Sequence, residues 1–219
     1  MENRVITVKG IGKVSAASDL LVIELNLEVI ETEYDATMHV AAEKLEALRE
    51  AIASAGHDGK LLKTTSFSIN TRYERYQDKN NNYQEKFIGY ACTHKLQLEF
   101  DLDMEMLGAT LNAIAACDAN PKLSIRFSVR DTRAISAMLL ENAVEDAKWK
   151  AGILAKSGGV TLGAILRIDY NWSEHHFYSG TEMRILKYMA IEEAAPMTMD
   201  IEPEDINVSD TATIVWSIV

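Results

Sequence analysis

The chain has 219 residues, of which 47% are hydrophobic, and its 33 acidic and 22 basic residues give a formal net charge of −11. This hydrophobic content excludes a disordered chain, and the length suffices for one substantial core or two small ones. The negative charge repels phosphate backbones and anionic lipid surfaces, so nucleic acid is not an expected partner. No apolar run approaches the roughly 20 residues of a membrane-spanning helix, so no membrane span is expected.

Cysteine spacing and the first residues bear on the cellular compartment. Cys92 and Cys117 lack C-x-x-C spacing and are predicted to be buried apolar residues, not a redox or metal pair. Residues 1–12 combine charge with alternation and lack the apolar core of a signal peptide. Taking Met1 as the native start, we expect a cytoplasmic protein.

The first third of the chain predicts strands followed by a helix. Residues 5–8 and the residues from Val14 onward resemble short strands, and Gly10-Ile11-Gly12 predicts a turn between them. The same glycines could indicate a phosphate loop, but the third glycine, the lysine and a following helix are missing. Residues 21–29 alternate as in a strand with one covered face. Residues 35–55 have helical spacing, which Gly56 ends.

Residues 62–101 predict a long hairpin, because period two returns and is interrupted by the turn-forming residues 78–82. Its base, at residues 94–101, alternates regularly and is expected to lie in the sheet. Its tip concentrates rings and cations and is expected to project beyond the sheet. The candidate interface residues at the tip are Arg72, Tyr73, Arg75, Tyr76, Tyr83 and Phe87.

The second half is dominated by the longest helical pattern in the chain, at residues 131–159. A ridge at four-residue spacing is expected to face the sheet. Its members are Ile135, Leu139, Ala143, Ala147, Ala151 and Ala155. A helix at residues 103–117 and a strand at 123–129 precede it, and strands at 164–171 and 206–219 follow. Residues 172–205 have no steady period, and such long connections are usually functional or disordered.

This order of elements predicts an α+β fold, with a largely antiparallel sheet and long helices packed on one face. We expect residues 1–219 to form a single domain, and two lobes that share a sheet are the alternative.

Short segments spread over nearly the whole chain form a further pattern. They are Ile6-Thr7-Val8-Lys9-Gly10 with Gly12 and Val14, Thr64-Thr65-Ser66-Phe67-Ser68-Ile69, Gly89-Tyr90, Ser124-Ile125-Arg126-Phe127, Ala143-Val144-Glu145-Asp146-Ala147, Lys150-Ala151, Leu154-Ala155, Gly158, Leu162-Gly163 and Ile201-Glu202-Pro203. In this order and spacing they resemble the SIMPL domain family. The resemblance implies an α+β fold, self-assembly in some members, and no established catalytic activity or cofactor. The chain has Ser18-Asp19 where the family usually has Pro-Asp, and we expect it to lack the secretion signal of many members.

Two groups of side chains could suggest metal sites. Glu174 precedes His175 and His176, but adjacent histidines on a strand point apart, so exposed loop polarity is the prediction. An acidic group near the end lacks the spacing and glycine of a calcium loop and predicts a solvated turn. That group comprises Asp200, Glu202, Glu204 and Asp205. No nucleophile motif is present. We expect no metal, no cofactor and no enzymatic activity.

The hairpin tip is the best candidate for a function, since aromatic rings with arginines are typical of protein interfaces. Stacking on single-stranded nucleic acid would use the same residue types, but the net charge and the acidic residues of the tip oppose it. A hairpin stabilised by its own cross-strand ring pairs is the third reading.

The predicted function is that of a non-catalytic, self-assembling interaction protein with a stress-related role, oxidative stress included. Its homo-oligomer would be built by residues 73–87 and 172–205, and a further protein partner is unidentified. The alternative is a small-molecule binding protein with a pocket between the sheet and the long helix.

Overall fold

The computed structural model describes residues 4–77, 81–170, 175–185 and 201–219. The strands and helices of this part confirm the α+β class. In chain order they are β1 (Val5–Ala16), β2 (Leu20–Glu31), α1 (Tyr34–Ser54), β3 (Lys63–Gln77), β4 (Tyr83–Asp101), α2 (Met104–Ala116), β5 (Lys122–Ser128), α3 (Thr132–Ser157), β6 (Leu162–Tyr170), β7 (Tyr178–Ile185) and β8 (Ile206–Ile218).

The strands form two antiparallel sheets, one with the order β1-β8-β6 and the other with the order β3-β4-β2-β5-β7. The chain divides accordingly into two compact units. Unit 1 comprises Met1–Asp19, Ser128–Gly180 and Pro203–Val219, and unit 2 comprises Leu20–Phe127 and Thr181–Glu202. The sequence favoured one sheet, because alternation reports that a strand has a covered face but not which strands pair. That residues 1–219 make a single domain stays a prediction.

In unit 1, α3 lies on its sheet with the face that the four-residue spacing predicted. All six residues of the ridge from Ile135 to Ala155 are buried. The helix begins at Asp131, whose carboxylate accepts from the amide of Ala134 at 2.8 Å, and Gly159 follows its end with a left-handed φ of 67°. Ala147 and Ala151 of the helix pack in one apolar cluster with Val8, Ile214 and Trp216. Ile135 and Leu139 pack in a second cluster with Val129 and Ile206.

The predicted turn at Gly10-Ile11-Gly12 is wrong, because β1 runs through these residues without interruption. A Cβ at Gly10 would collide with the Ala143 carbonyl, and one at Gly12 would collide with the Leu139 carbonyl. Glycine is required here for the close approach of helix to strand, not for a turn.

The outer edge of β1 is covered by polar side chains of α3. The amide of Ile11 donates to Asp146 at 2.7 Å, and Asn142 and Lys150 donate to carbonyls on either side of it. Hydrogen bonds from the Lys150 side chain and the Ile11 amide lower the pKa of the Asp146 carboxyl. An edge strand left bare is a template for pairing with another chain, and these side chains block such pairing in the middle of β1, from Lys9 to Lys13.

In unit 2, α1 and α2 cover one face of the five-stranded sheet. The alternating residues Leu21, Ile23, Leu25 and Leu27 of β2 are buried in this core, as predicted, together with Phe127 of β5. Cys92 is also buried, whereas Cys117 is only partly covered, and both are free thiols.

Most element boundaries agree with the sequence predictions within about two residues. Besides β1, the exception is β7 (Tyr178–Ile185), which lies inside the segment 172–205 that showed no steady period. Its sequence, YSGTEMRI, mixes small, polar and apolar residues without alternation, so the pattern gave no strand signal. Residues 172–174 and 186–200 of that segment lie outside the described residues.

Candidate interaction surface

The β3–β4 hairpin extends beyond the rest of its sheet. The last register pair between β2 and β4 is Glu31 with Tyr90, whereas β3 and β4 continue to pair as far as Gln77 with Tyr83. We call residues 72–77 and 83–89 the hairpin tip. It is a two-stranded ribbon, and its projection beyond the sheet confirms the expected placement. The break at residues 78–80 lies outside the described residues.

A β-bulge marks the start of the tip. Arg72 pairs with Gly89 and Tyr73 pairs with Phe87, so that Ile88 is the extra residue of β4. Gly89 has a φ of 145° and lies against the carbonyl of Glu31, where a Cβ would collide. The bulge therefore depends on glycine and sets the direction in which the ribbon leaves the sheet.

The pairing register separates the six candidate residues into two faces, because residues directly opposite each other point to the same side. Tyr73 is opposite Phe87, Arg75 is opposite Glu85, and Gln77 is opposite Tyr83. The structure thus brings four candidates together on one face and places two on the other. The first face carries Tyr73, Arg75, Tyr83 and Phe87, and the second carries Arg72 and Tyr76.

The first face continues the helix-covered side of the sheet as a row of rings. Tyr34, at the start of α1, contacts Tyr90 at 5.7 Å between ring centroids; Tyr90 contacts Phe87 at 5.4 Å, and Phe87 contacts Tyr73 at 5.7 Å. We call these four rings the aromatic row. All three contacts are edge-to-face, the geometry that the ring quadrupole favours. The row ends at the solvent, where Tyr73 is 53% exposed.

Arg75 lies further along the same face. Its guanidinium is 5.5 Å from the centroid of the Tyr83 ring and 3.9 Å from the carboxylate of Glu85. Tyr83 is nonetheless 70% exposed. Cation–π and ion-pair contacts at exposed sites are weak, so they orient these side chains without burying them.

Sequence reasoning missed a buried polar cluster in unit 1. Oδ2 of Asp210 on β8 accepts from the Tyr170 hydroxyl at 2.8 Å and lies 3.0 Å from Nε2 of His175, while Oδ1 accepts from the Thr211 amide at 2.7 Å. The His175 ring is largely covered, so the predicted exposed loop polarity is wrong for this residue, although it holds for His176. Nothing local indicated the contact, since 35 residues separate His175 from Asp210.

The cluster keeps a carboxylate charged inside the core of unit 1. Burial raises the pKa of the Asp210 carboxyl, but hydrogen bonds from His175, Tyr170 and the Thr211 amide outweigh it, so that this pKa lies below its ordinary value. The hydrogen bond to Asp210, followed by burial, raises the pKa of the Tyr170 hydroxyl. The arrangement joins β6, β8 and the residues before β7 through one shared acceptor.

The possible metal groups weighed from the sequence are not assembled in the part of the chain that the structure describes, where no three histidine, cysteine or acidic side chains could together hold an ion. Near the acidic group, Ser15 donates to Asp205 at 3.2 Å, and Ser179 donates to the Glu204 carbonyl. Asp200 and Glu174 lie outside the described residues.

Two surface clefts of about 580 and 470 Å³ lie in unit 2. The larger is lined by charged residues of α1 and of the segment before β3, and the smaller opens on the polar face of the sheet. Neither is lined by α3. Within the ranges described, no helix is both long enough and apolar enough to cross a membrane.

Comparison with known proteins gives a family match over residues 6–216, to the family described as "SIMPL: Protein of unknown function (DUF541)". Two similar relatives are the 26 kDa periplasmic immunogenic proteins of Brucella melitensis biotype 1 and of Brucella abortus strain S19. Each is 26% identical over 166 residues, which cover 75% of this chain. The match spans 65% of each relative, slightly less than two thirds of its length.

The expected cytoplasmic location is contradicted by these relatives, which are named as periplasmic proteins. That expectation came from the character of residues 1–12, taking Met1 as the native start. The composition and the strand and helix pattern of a domain do not indicate its compartment. Both are determined by folding, whereas export depends on a separate targeting segment.

Proposed function

The chain belongs to the SIMPL family, DUF541, and from this premise we propose that it is a non-catalytic protein that assembles with copies of itself through the hairpin tip. The observation that carries the proposal is the exposed end of the aromatic row. Tyr73, Phe87 and Tyr83 lie on one face of a ribbon that no described helix covers. Grouped exposed rings of this size usually mark a site of protein contact.

The charge distribution supports assembly at the tip more than elsewhere on an acidic chain. The described tip carries Arg72, Arg75 and Lys86 against Glu74 and Glu85, so its net charge is 3 − 2 = +1, whereas the whole chain carries −11. Repulsion between distant charges of two copies is screened over about 8 Å at physiological salt. The local contacts of the tip therefore decide whether copies associate.

We expect the variant Tyr73→Ser/Phe87→Ser to lose most of the wild-type assembly, because two of the three tip rings on the first face are removed while the backbone ribbon is kept. Light scattering after size exclusion reports the mass, and circular dichroism checks that the variant is folded. The dissociation constant should rise at least tenfold, since each lost ring contact is worth about 0.5–1.5 kcal/mol beyond its area.

The matched control is Trp149→Ser, which removes an exposed ring from α3 in unit 1. It should leave the mass unchanged. A wild-type protein that runs as a monomer, or a double variant that keeps the full mass, would show that the tip is a hairpin paired only within its own chain.

Small-molecule binding in a pocket between the sheet and the long helix was the alternative prediction. The tight contact of α3 with Gly10 and Gly12 argues against a cavity at that place, because a single Cβ would collide there. A contribution of residues 172–205 to assembly, an unidentified protein partner and a role in oxidative stress stay predictions.

The names of the relatives support a periplasmic place of action for this chain. We expect osmotic-shock fractionation of cells that express the native gene to release the protein with the periplasmic fraction. A cytoplasmic marker enzyme is the control for lysis. Recovery of the protein with that marker would contradict the proposed location.

A further inference from the structure

The outer edge of β3 is the open side of the hairpin. β3 is the terminal strand of the five-stranded sheet, and β4 is its only partner among the strands that the structure describes. Among the described residues, no side chain forms a hydrogen bond with the backbone of residues 69–77. The same chain covers the edge of β1 with Asn142, Asp146 and Lys150. An uncovered edge of this length presents amides and carbonyls to a further strand.

The sequence of β3 is self-complementary in one antiparallel register. Two β3 strands related by a two-fold axis normal to the sheet lie on either side of that axis. Residues that face each other across it must have side chains on the same side of the sheet. The axis is therefore level with one residue, which faces its own symmetry mate, and not with the midpoint between two residues. With the axis at Tyr73, Arg72 faces Glu74 of the partner subunit, and the symmetry repeats this ion pair. An axis at Glu74 would oppose two carboxylates, and an axis at Arg72 or Arg75 would oppose two guanidinium groups.

The two charged side chains that this register would pair, Arg72 and Glu74, are free to form that ion pair as far as the described residues are concerned. Neither Arg72 nor Glu74 forms an ion pair with a described residue. Glu74 is opposite Lys86 across the hairpin, so in the pair of subunits its carboxylate would lie between two cations. Like charges placed directly opposite in a sheet are destabilising, which disfavours the registers with the axis at Arg72, Glu74 or Arg75.

The opposite face of the same register continues the aromatic row. Tyr73 on the axis would face Tyr73 of the partner subunit, so that the rings of Tyr90, Phe87 and Tyr73 would run on into their symmetry mates. This covers the ring that ends the row at 53% exposure. One register would thus pair the backbone of the open strand edge, pair the charges of Arg72 and Glu74, and cover the exposed ring of Tyr73.

We propose that β3 pairs antiparallel with β3 of a second copy, about a two-fold axis at Tyr73, with Arg72 facing Glu74 of the partner subunit. This inference rests on the proposed function, since it names the partner and the register for the same hairpin tip. It extends the five-stranded sheet of unit 2 into a sheet shared by two copies.

A charge exchange tests the register. Arg72→Glu and Glu74→Arg each create like-charge oppositions, and each should raise the dissociation constant of the dimer at least tenfold. The double variant Arg72→Glu/Glu74→Arg restores both pairs with reversed sign. All three variants are made together with Lys86→Ala, so that an arginine at position 74 faces no like charge across its own hairpin. The double variant should then return to within about threefold of the Lys86→Ala protein. Sedimentation equilibrium at low and high salt measures the constants, and the losses should shrink at high salt.

Lys63→Glu is the control, because it makes the same charge change on β3 outside the paired residues 69–77; it should leave association unchanged. The register is wrong if all three variants associate as tightly as the protein without these changes. It is also wrong if the dissociation constant of the double variant is as high as those of the single variants. Assembly through the rings of the tip is not contradicted by either result. A monomeric wild type at all concentrations would overturn the proposed function and this inference together.

Discussion

Gly10→Val is expected to lower the free energy of unfolding by more than about 3 kcal/mol, the largest effect of any substitution considered. The added Cβ would overlap the Ala143 carbonyl and would lie 2.7 Å from the Ala147 Cβ. Both obstacles belong to the buried face of α3, and one is backbone, so no rotamer change relieves the collision. The strand and helix must separate, which opens the buried contact around Val8 and Ala147.

Chemical denaturation followed by circular dichroism measures this loss. Gly152→Val is the matched control, because Gly152 lies on α3 where an added Cβ would meet no atom of another element within 4 Å. Valine has a helix propensity no worse than that of glycine, so the control should be neutral or slightly stabilising. Equal stability of Gly10→Val and wild type would mean that α3 does not lie directly on β1.

Asp210→Ala is the second substitution with a large expected effect, about 2–4 kcal/mol of destabilisation at neutral pH. It removes the acceptor shared by the Tyr170 hydroxyl, the His175 ring and the Thr211 amide, all within 3.0 Å. These donors lie in or near the core of unit 1, where water cannot fully replace the lost carboxylate. The matched control is Asp169→Ala, which removes an exposed carboxylate of β6 whose only ion pair with a described residue is the one with Arg167.

The cost of Asp210→Ala should depend on pH. The pKa of Asp210 is lowered in the folded protein, so its stabilising contribution is full above the ordinary carboxyl pKa of about 4 and is lost as the pH falls through the lower folded value. The pKa of Tyr170 is raised, so its contribution is full below the ordinary value of about 10 and is lost as the pH rises through the higher folded value.

The difference in unfolding free energy between wild type and Asp210→Ala should therefore be largest between about pH 5 and 9 and should shrink on both sides. Urea denaturation across this range measures it. A difference that stays constant down to pH 2 would show that the Asp210 carboxylate gains nothing from its partners in the folded state.

Local pattern was sufficient to predict most of the strands and helices, with β7 as an exception. The period of four that placed Leu139 and Ala147 on one face of α3 depends only on helix geometry, and both residues are buried there. The alternation of β2 likewise identified its covered residues, such as Ile23. The glycines of β1 led to the wrong prediction of a turn, because glycine is used both in turns and where backbones pack closely. Only the position of α3 distinguishes the two uses.

The candidate surface was predictable in composition but not in arrangement. Period two alone places Arg72 and Tyr76 on the side of β3 opposite to Tyr73. The side on which Phe87 and Tyr83 lie depends on the register with β4, and the bulge at Ile88 shifts that register by one residue. The shared carboxylate of Asp210 was beyond any local pattern, since its partners come from other elements.

The sequence by itself therefore determined the types of most elements and the buried faces of α3 and β2, because each follows from the repeat of a single helix or strand. It also placed the rings and arginines at the hairpin tip, which composition alone shows. Only the tertiary structure decided the division into two sheets, the purpose of Gly10 and Gly12, the two faces of the tip and the Asp210 cluster. Each of these depends on which elements meet, and that choice is set by packing between residues distant in the chain.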